Sequence, residues 1–348
     1  MNPYVLAILL SSLGLGTTLT FASSHWLLAW MGLEINTLAI MPLMAQHHHP
    51  RAVEATTKYF LTQATAAATI LFASTTNAWT MGEWDITNLS HPLATTMIIT
   101  ALALKIGLAP MHFWMPEVLQ GLDLLTGLIL STWQKLAPFA LIVQVAPTID
   151  PMLLTSLGLL STLIGGWGGL NQTQLRKILA YSSIAHMGWM IIILQYTPQL
   201  TLIALGTYIF MTSAAFLTLK MASTTKINTL TTTWSKSPIL ATTTALAFLS
   251  LGGLPPLTGF MPKWLILQEM TKQDLPLTAT IMALAALLSL YFYLRLCYAM
   301  TLTISPSTTN NNTPWRTNTT QTTLPLAIST VIALGLLPIT PAILTLTT

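Results

Sequence analysis

Eleven apolar runs, each about as long as a bilayer-spanning helix, follow one another along the 348-residue chain. A helix needs about 20 apolar residues to cross the hydrocarbon core of a membrane. Only 6% of the residues are charged, whereas ordinary globular domains have roughly 25%. The sequence therefore predicts an all-α, polytopic membrane protein of about 11 transmembrane helices. The predicted spans are 3–22, 25–45, 54–76, 91–115, 123–146, 150–170, 177–195, 199–220, 238–272, 276–301 and 324–346.

The fourth span is interrupted. Residues 102–117 read LALKIGLAPMHFWMPE, so that Gly107, Pro110 and Pro116 follow a lysine, Lys105. Proline has no N–H to donate to the preceding turn of a helix. The sequence therefore predicts breaks at all three positions. Backbone groups left without partners at membrane depth are tolerated only where they are buried in protein or line a wet cavity.

The ninth span matches the fourth. Shifted by 146 positions, GLAP and the following MP of 107–116 lie over GLPP and MP of 253–262 without a gap. Interrupted helices in corresponding positions of two halves point to a transporter-type site between repeats. In this alignment Lys263 faces Glu117 and not Lys105, so the two lysines are not equivalent by position.

Basic residues between the spans are distributed unevenly. If the spans alternate in direction, one face receives eight basic residues, and the other receives only Lys272 beside five acidic residues. The eight are Arg51, Lys58, Arg176, Lys177, Lys220, Lys226, Lys236 and Arg316. The positive-inside rule places the N-terminus on the same face as the eight, and an odd number of spans places the C-terminus opposite. We attribute the net charge of +4 to this topology and not to nucleic-acid binding.

Five spans contain ionisable residues near their middles. The residues are Glu34, Lys105, His112, Lys135, His186 and Lys263. A charge at the centre of a spanning helix costs about 2.5–3.5 kcal/mol on insertion scales, so these residues need partners, water or both. A lysine near the end of a span can instead extend to the headgroups. That alternative suits Lys58, Lys220 and Lys272, and for the two histidines an ordinary hydrogen-bonded core position stays open.

The ionisable set permits a proton relay. A nearby carboxylate such as Glu34 holds Lys105 charged until the pair separates, and histidine passes protons near neutral pH. Moving a proton against the membrane potential costs about 2.3 kcal/mol per 100 mV. The chain has no nucleotide motif, and its one cysteine, Cys297, cannot hold an iron–sulfur cluster. We therefore expect the chain to be one subunit of a larger complex that supplies the energy.

Other charged residues receive structural interpretations. The His47–His49 tract, followed by Pro50, is expected to be a solvated loop and not a metal site, since consecutive side chains do not converge on one ion. Glu117 and Asp123 are expected to be solvated, helix-capping residues. Arg295 is expected to bind lipid or a neighbouring helix.

Five segments resemble a known family, and the resemblance covers essentially the whole chain. They are MGLEIN with Glu34, ALKIGLAPMHFWMPEV with Lys105, WQKLAP with Lys135, LRKILAYSSIAHMGW at 175–189 and LGGLPPLTGFMPKW at 251–264. They are similar to the mitochondrially encoded subunit 2 family of NADH:ubiquinone oxidoreductase (respiratory complex I), an antiporter-like membrane-arm family. The Leu- and Thr-rich, cysteine-poor composition resembles the vertebrate form.

The resemblance implies a proton-translocating subunit with two inverted five-helix repeats, 1–146 and 150–301. A polar loop, 302–323, and a last helix, 324–346, follow. By the same resemblance Glu34, Lys105, Lys135 and Lys263 match the family's intramembrane charges, and His112 and His186 match the polar axis that connects them.

The resemblance also implies a cellular location, an orientation in the membrane and a set of partners. The chain would lie in the mitochondrial inner membrane, with its N-terminus in the matrix and its C-terminus in the intermembrane space. Its partners would be other membrane-arm subunits, phospholipid including cardiolipin, internal water and protons. FMN, iron–sulfur clusters, NADH and ubiquinone would belong to other subunits, and no cofactor or metal to this chain.

Two other functions stay open at this point. A free-standing cation/proton antiporter would need a carboxylate-rich cation site, for which only Glu34 is available inside the spans. A structural, non-pumping subunit of the membrane arm would satisfy its lysines internally.

Overall fold

A computed structural model describes residues 2–46, 48–303 and 323–347. These residues form helices, with two isolated bridges and no strand of a sheet among them. The chain divides into two compact units, Met1–Ser161 and Thr162–Thr348. The predicted polar loop at 302–323 lies outside the described residues except at its two ends.

The first unit contains seven complete helices among its described residues, and an eighth crosses the boundary to the second unit. They are α1 (Pro3–Ala22), α2 (Trp26–Met44), α3 (Pro50–Met81), α4 (Pro92–Ile106), α5 (Trp114–Gly121), α6 (Leu124–Ser131), α7 (Trp133–Val145) and α8 (Pro151–Gly168). Helices α1, α2, α3 and α4 pack in succession, and α5 packs on α3.

The second unit contains the remaining helices. They are α9 (Leu175–Ile193), α10 (Pro198–Met221), α11 (Ile227–Thr231), α12 (Thr233–Lys236), α13 (Pro238–Gly252), α14 (Phe260–Lys272), α15 (Pro276–Leu302), α16 (Leu324–Gly335) and α17 (Thr340–Thr347). Helix α10 packs against α9, α13, α14 and α16, so it lies at the centre of this unit.

Six helical segments in the described part of the chain are long and apolar enough to cross a membrane. They are Pro3–Ala22, Trp26–Met44, Leu124–Thr148, Pro151–Gly168, Pro198–Met221 and Pro276–Leu302. Three shorter apolar helices, α4, α13 and α16, accompany them. Large apolar side chains are exposed along these segments. An exposed apolar surface of this extent fits a lipid environment, and the chain is a multi-pass membrane protein.

Helices α4 and α13 end in the same way. Gly107 follows α4 with φ of 84°, and Gly253 follows α13 with φ of 81°. This left-handed conformation favours glycine, which has no Cβ to clash. The N–H of Gly107 donates to the carbonyl of Ala103 at 2.9 Å, and that of Gly253 to Leu249 at 3.2 Å. The predicted end of the helix at Gly107 is confirmed.

The predicted break at Pro116 is wrong. Pro116 lies in the first turn of α5, as Pro262 lies in the first turn of α14. The first N–H groups of a helix have no partner inside the helix, so a proline loses nothing there. The carbonyl of His112, four residues before this proline, accepts a hydrogen bond from the N–H of Met115 at 3.0 Å.

Two other spans that were expected to be continuous are interrupted. The fifth is divided at Thr132, whose hydroxyl donates to the carbonyl of Leu128 at 2.8 Å. Such back-bonding by threonine commonly bends helices. The last span is divided after Gly335 by a short 3₁₀ turn, Leu337–Ile339, that contains a proline. Sequence hydropathy does not register either interruption, because both leave the apolar run intact.

The last helix is tied to the break after α13. The hydroxyl of Ser250, near the end of α13, donates to the carbonyl of Ala333 in α16 at 2.7 Å. The hydroxyl of Thr258, just before α14, donates to the same oxygen. The two hydroxyl groups therefore hold both sides of the break against α16.

We expect Gly259→Ala to destabilise the second unit, because a Cβ atom at this position would lie 1.8 Å from the backbone oxygen of Ser250. Overpacking of a core costs about 1–3 kcal/mol, occasionally more. Thermal denaturation of the assembled protein measures the effect. Gly206→Ala is the matched control, since a Cβ there meets nothing within 4 Å. Equal melting temperatures for both variants would contradict the packing of this break.

Candidate functional site

Lys105 and Lys135 line one cavity inside the first unit. Lys105 is in the last turn of α4, immediately before the break, and Lys135 is in the first turn of α7. Their side chains are 6% and 2% exposed. The water-accessible part of the cavity measures about 10 Å³, which is close to the least space that one water needs. The fold thus brings two predicted site residues together, 30 positions apart in the chain.

Glu34 does not pair directly with Lys105. Within the described residues no ion pair joins them, although the carboxylate acts on the lysine electrostatically. The hydroxyl of Thr37, one turn along α2, donates instead to Oε2 of Glu34 at 3.3 Å. The predicted contact pair is therefore replaced by a longer-range interaction.

Two uncharged amides share the cavity. Asn36 of α2 and Gln63 of α3 line it and are 2% and 4% exposed. Neither atom of the Asn36 amide, nor Nε2 of Gln63, nor Nζ of Lys105 has a hydrogen-bond partner among the described residues. Sequence reasoning missed both amides, because it searched the spans for charges. The signal was an asparagine two residues after Glu34, and a glutamine inside the third span.

Hydrogen bonds hold the helices around this cavity. Nε2 of Gln134, next to Lys135, donates to the backbone oxygen of Asn36 at 3.2 Å and joins α7 to α2. Nε1 of Trp114, in α5, donates to the backbone oxygen of Leu104 at 3.0 Å. This second bond spans the break and ties the two half-helices together beside Lys105.

Lys263 and His186 line a second cavity, inside the second unit. Nζ of Lys263 donates to the backbone oxygen of Gly252, the last residue of α13, at 2.8 Å. This lysine comes from the helix after the break, whereas Lys105 comes from the helix before it. Both lysines are buried, but only Lys263 donates to the backbone at its break.

Hydroxyl-bearing side chains surround the second cavity. Ser182, Ser289 and Tyr293 line it beside His186 and Lys263. The ring of His186 also lies 5.6 Å from the ring of Tyr208. The arrangement offers several groups that both donate and accept hydrogen bonds, as proton transfer through a cavity requires.

His112 is buried in the break of the fourth predicted span. It occupies the segment between α4 and α5, is 3% exposed, and its ring contacts that of Phe113 at 4.5 Å between centroids. It is not among the residues that line the cavity of Lys105 and Lys135. The structure therefore places His112 in the break between α4 and α5.

Two surface charges for which the sequence predicted no partner form an ion pair. Nζ of Lys58, which was expected to extend to the headgroups, lies 2.7 Å from carboxylate oxygens of both Glu54 and Glu117. Glu117 is therefore an ion-pair partner in the first turn of α5, and not only a solvated cap. Because Lys58 belongs to α3, this pair attaches the half-helix after the break to a long neighbouring helix.

Arg295 and the histidine tract at 47–49 were given structural interpretations, and the described residues of both have partners. Nη1 of Arg295 donates to the backbone oxygen of Leu170 at 2.6 Å, so this arginine holds a neighbouring segment. Nδ1 of His49 accepts the N–H of Arg51 and caps α3, and His47 lies outside the described residues. Among the described residues no group of three or more His, Cys, Asp or Glu side chains could hold a metal ion.

Solved structures share this fold. A chain of respiratory complex I from Thermus thermophilus with bound aureothin superimposes with a TM-score of 0.87 and 29% identity, over 99% of this chain and 80% of that one. A chain of the Mrp complex from Dietzia sp. DQ12-45-1b gives a TM-score of 0.83, with 16% identity over 97% and 76%. The fold is therefore that of the antiporter-like membrane subunits.

Sequence comparison identifies the family within this class of membrane subunits. The family model described as NADH:quinone oxidoreductase/Mrp antiporter, TM, matches residues 23–289, and NADH dehydrogenase subunit 2 C-terminus matches residues 290–344. NADH-ubiquinone oxidoreductase chain 2 of Carassius auratus is 85% identical, and that of Danio rerio 78%, each over the full length of both chains. The chain belongs to the NADH-ubiquinone oxidoreductase chain 2 family.

Two of the buried lysines, Lys105 and Lys263, should respond differently to replacement by methionine. Lys105→Met should leave the thermal stability of the assembled protein unchanged or higher, because replacing a buried charge by an apolar side chain of similar size is often neutral or stabilising. Lys263→Met should lower it by about 1–2 kcal/mol, because the carbonyl of Gly252 loses its partner. The exposed Lys272→Met is the control. An equal loss of stability in both buried variants would contradict the assigned contacts.

Proposed function

We propose that this chain translocates protons as a subunit of the membrane arm of respiratory complex I, NADH:ubiquinone oxidoreductase. The cavity that Lys105 and Lys135 share carries the proposal. Two buried lysines beside one small cavity give no general gain in stability over apolar residues. They do provide two sites for a proton, close enough to communicate through the cavity.

Each unit contributes one part of the relay. In the first, Glu34 acts at a distance on Lys105, and Lys135 is the next site along the cavity. In the second, His186 and Lys263 serve the same purpose with the neighbouring hydroxyl groups. His112 is a connecting residue through its place in the break, which its buried position supports.

The energy for translocation comes from outside the chain. Moving a proton against the membrane potential requires about 2.3 kcal/mol per 100 mV. NADH oxidation and ubiquinone reduction in other subunits, which hold the FMN and the iron–sulfur clusters, supply it. The chain itself performs no redox chemistry and has no cofactor. It is a subunit of a translocase and not an independent enzyme.

We infer about 11 transmembrane helices in this chain, counting the interrupted segments as single spans. They form two inverted five-helix repeats, 1–146 and 150–301, and a last helix at 324–346. The matching ends of α4 and α13 support this arrangement, since corresponding broken helices are typical of inverted repeats.

The chain lies in the mitochondrial inner membrane, with its N-terminus in the matrix and its C-terminus in the intermembrane space. The uneven distribution of basic residues between the two faces supports this orientation. Its exposed apolar surface contacts other membrane-arm subunits and phospholipid, including cardiolipin, and internal water completes the proton path.

Charge removal at Lys135 and Glu34 tests the function. We expect Lys135→Ala and Glu34→Gln to lower NADH–ubiquinone turnover per assembled complex by about tenfold or more, because removing a group that transfers protons typically costs 10²–10⁴-fold. Turnover and proton stoichiometry are measured in proteoliposomes, with Lys272→Ala as control. Full turnover with unchanged stoichiometry in both variants would exclude the relay. Loss of assembly with normal turnover per complex would instead identify a structural subunit, and cation exchange by the isolated chain a free-standing antiporter.

Labelling tests the orientation. In a Cys297→Ser background, a membrane-impermeant thiol reagent should modify Lys226→Cys only from the matrix face and Glu83→Cys only from the opposite face. Both side chains are exposed, and the positive-inside count places them on different faces. Labelling of both from one side of sealed vesicles would refute the topology.

A further inference from the structure

We propose that Asn36 and Gln63 form a binding site for one water molecule that joins Lys105 to Lys135. The site deepens the proposed proton relay and rests on it. Asn36 and Gln63 are positioning residues in this proposal, because they hold the water that carries the proton and do not exchange protons themselves. Polar atoms without partners line the cavity.

Four polar atoms around the cavity have no partner in the described part of the chain. They are Nδ2 and Oδ1 of Asn36, Nε2 of Gln63 and Nζ of Lys105. All three residues are more than nine-tenths buried and line the same cavity. A buried polar atom without a hydrogen bond is costly, so such atoms are almost always satisfied in folded proteins. Four of them beside one cavity indicate a bound ligand that satisfies most of them.

The size of the cavity identifies the ligand. About 10 Å³ of water-accessible space is close to what one water molecule needs. A water accepts two hydrogen bonds and donates two. It can accept from Nε2 of Gln63 and Nζ of Lys105 and donate to Oδ1 of Asn36. The remaining hydrogen is then available for Lys135, which lines the same cavity.

The same atoms disfavour an alkali cation. Cation sites in membrane proteins are built from several oxygen atoms that replace the hydration shell. Here the unpartnered atoms comprise one amide oxygen and three nitrogen donors. Two neighbouring lysines would add repulsion whenever either is charged. The site is thus selective for water, and through water for protons, over sodium or potassium.

The transfer step balances without another reactant. A protonated lysine gives a proton to the bound water, while the water gives one of its own protons to the neutral lysine. One N–H bond breaks, one forms, and the water is regenerated. Such a step requires donor and acceptor to be within hydrogen-bond reach or joined by one water. The two amides fix the water against rotation away from this line.

Isosteric variants of the two amides test the proposal in the assembled complex. Gln63→Leu and Asn36→Leu should each lower NADH–ubiquinone turnover by about tenfold or more and raise its solvent deuterium isotope effect, because proton transfer becomes limiting. Gln63→Asn keeps the amide and leaves room for a second bridging water, so it should restore at least about half of the turnover. Asn77→Leu is the matched control. Asn77 is a fully buried amide on the same helix, and it bonds the backbone oxygens of Glu83 and Asn88 away from the cavity.

The outcomes separate this site from the relay as a whole. Normal turnover and an unchanged isotope effect in both leucine variants, together with a loss in Lys135→Ala, would overturn the water site and leave the relay standing. Normal turnover in Lys135→Ala as well would remove the relay itself. If the leucine variants fail to assemble, a high-resolution map of the unaltered complex decides. Ordered density within hydrogen-bond distance of Asn36 and Gln63 supports the site, and its absence from a map that shows other buried waters overturns it.

Discussion

A polar group inside a membrane must find its partner within the protein, because hydrocarbon offers none. This constraint explains the hydrogen bonds at both breaks. Glycine ends α4 and α13 with its N–H turned back into the helix, Trp114 spans the first break, and Lys263 donates to the last carbonyl of α13. Where the protein supplies no partner, as around Lys105, a cavity is present. The costly interruptions of the helices and the candidate relay therefore occupy the same places.

Both units contain a broken helix with a buried lysine near it, but the two lysines are placed differently. Lys105 belongs to the half-helix before its break and has no partner among the described residues, whereas Lys263 belongs to the half-helix after its break and holds a backbone oxygen. At the position matching Lys263, the first unit has Glu117, which pairs with Lys58. Similar backbone breaks are thus accompanied by lysines that differ in whether the Nζ atom has a hydrogen-bond partner. In the proposed relay, a lysine bonded to a carbonyl and a lysine beside a cavity would be suited to different steps.

Much of the fold could be predicted from hydropathy and proline placement. Helix α1 lies at 3–22 as expected, and the ends of α4 and α13 follow from glycines that accept a left-handed conformation. The proline at 116 was misread, because a proline is harmless in the first turn of a helix and disruptive elsewhere. The division at Thr132, where the hydroxyl bonds to the backbone oxygen of Leu128, was missed because it leaves the apolar pattern unchanged.

The sequence by itself determined the membrane location of this protein, its broken helices and the identity of its buried charges. Each of these follows from local chemistry: apolar length, backbone donors and the cost of ions in hydrocarbon. Only the tertiary structure decided which groups meet. It placed Lys105, Lys135 and two overlooked amides around one cavity, and it left Glu34 without an ion pair to Lys105. Contacts between residues tens of positions apart depend on how helices cross and pack, and no single stretch of sequence contains that information.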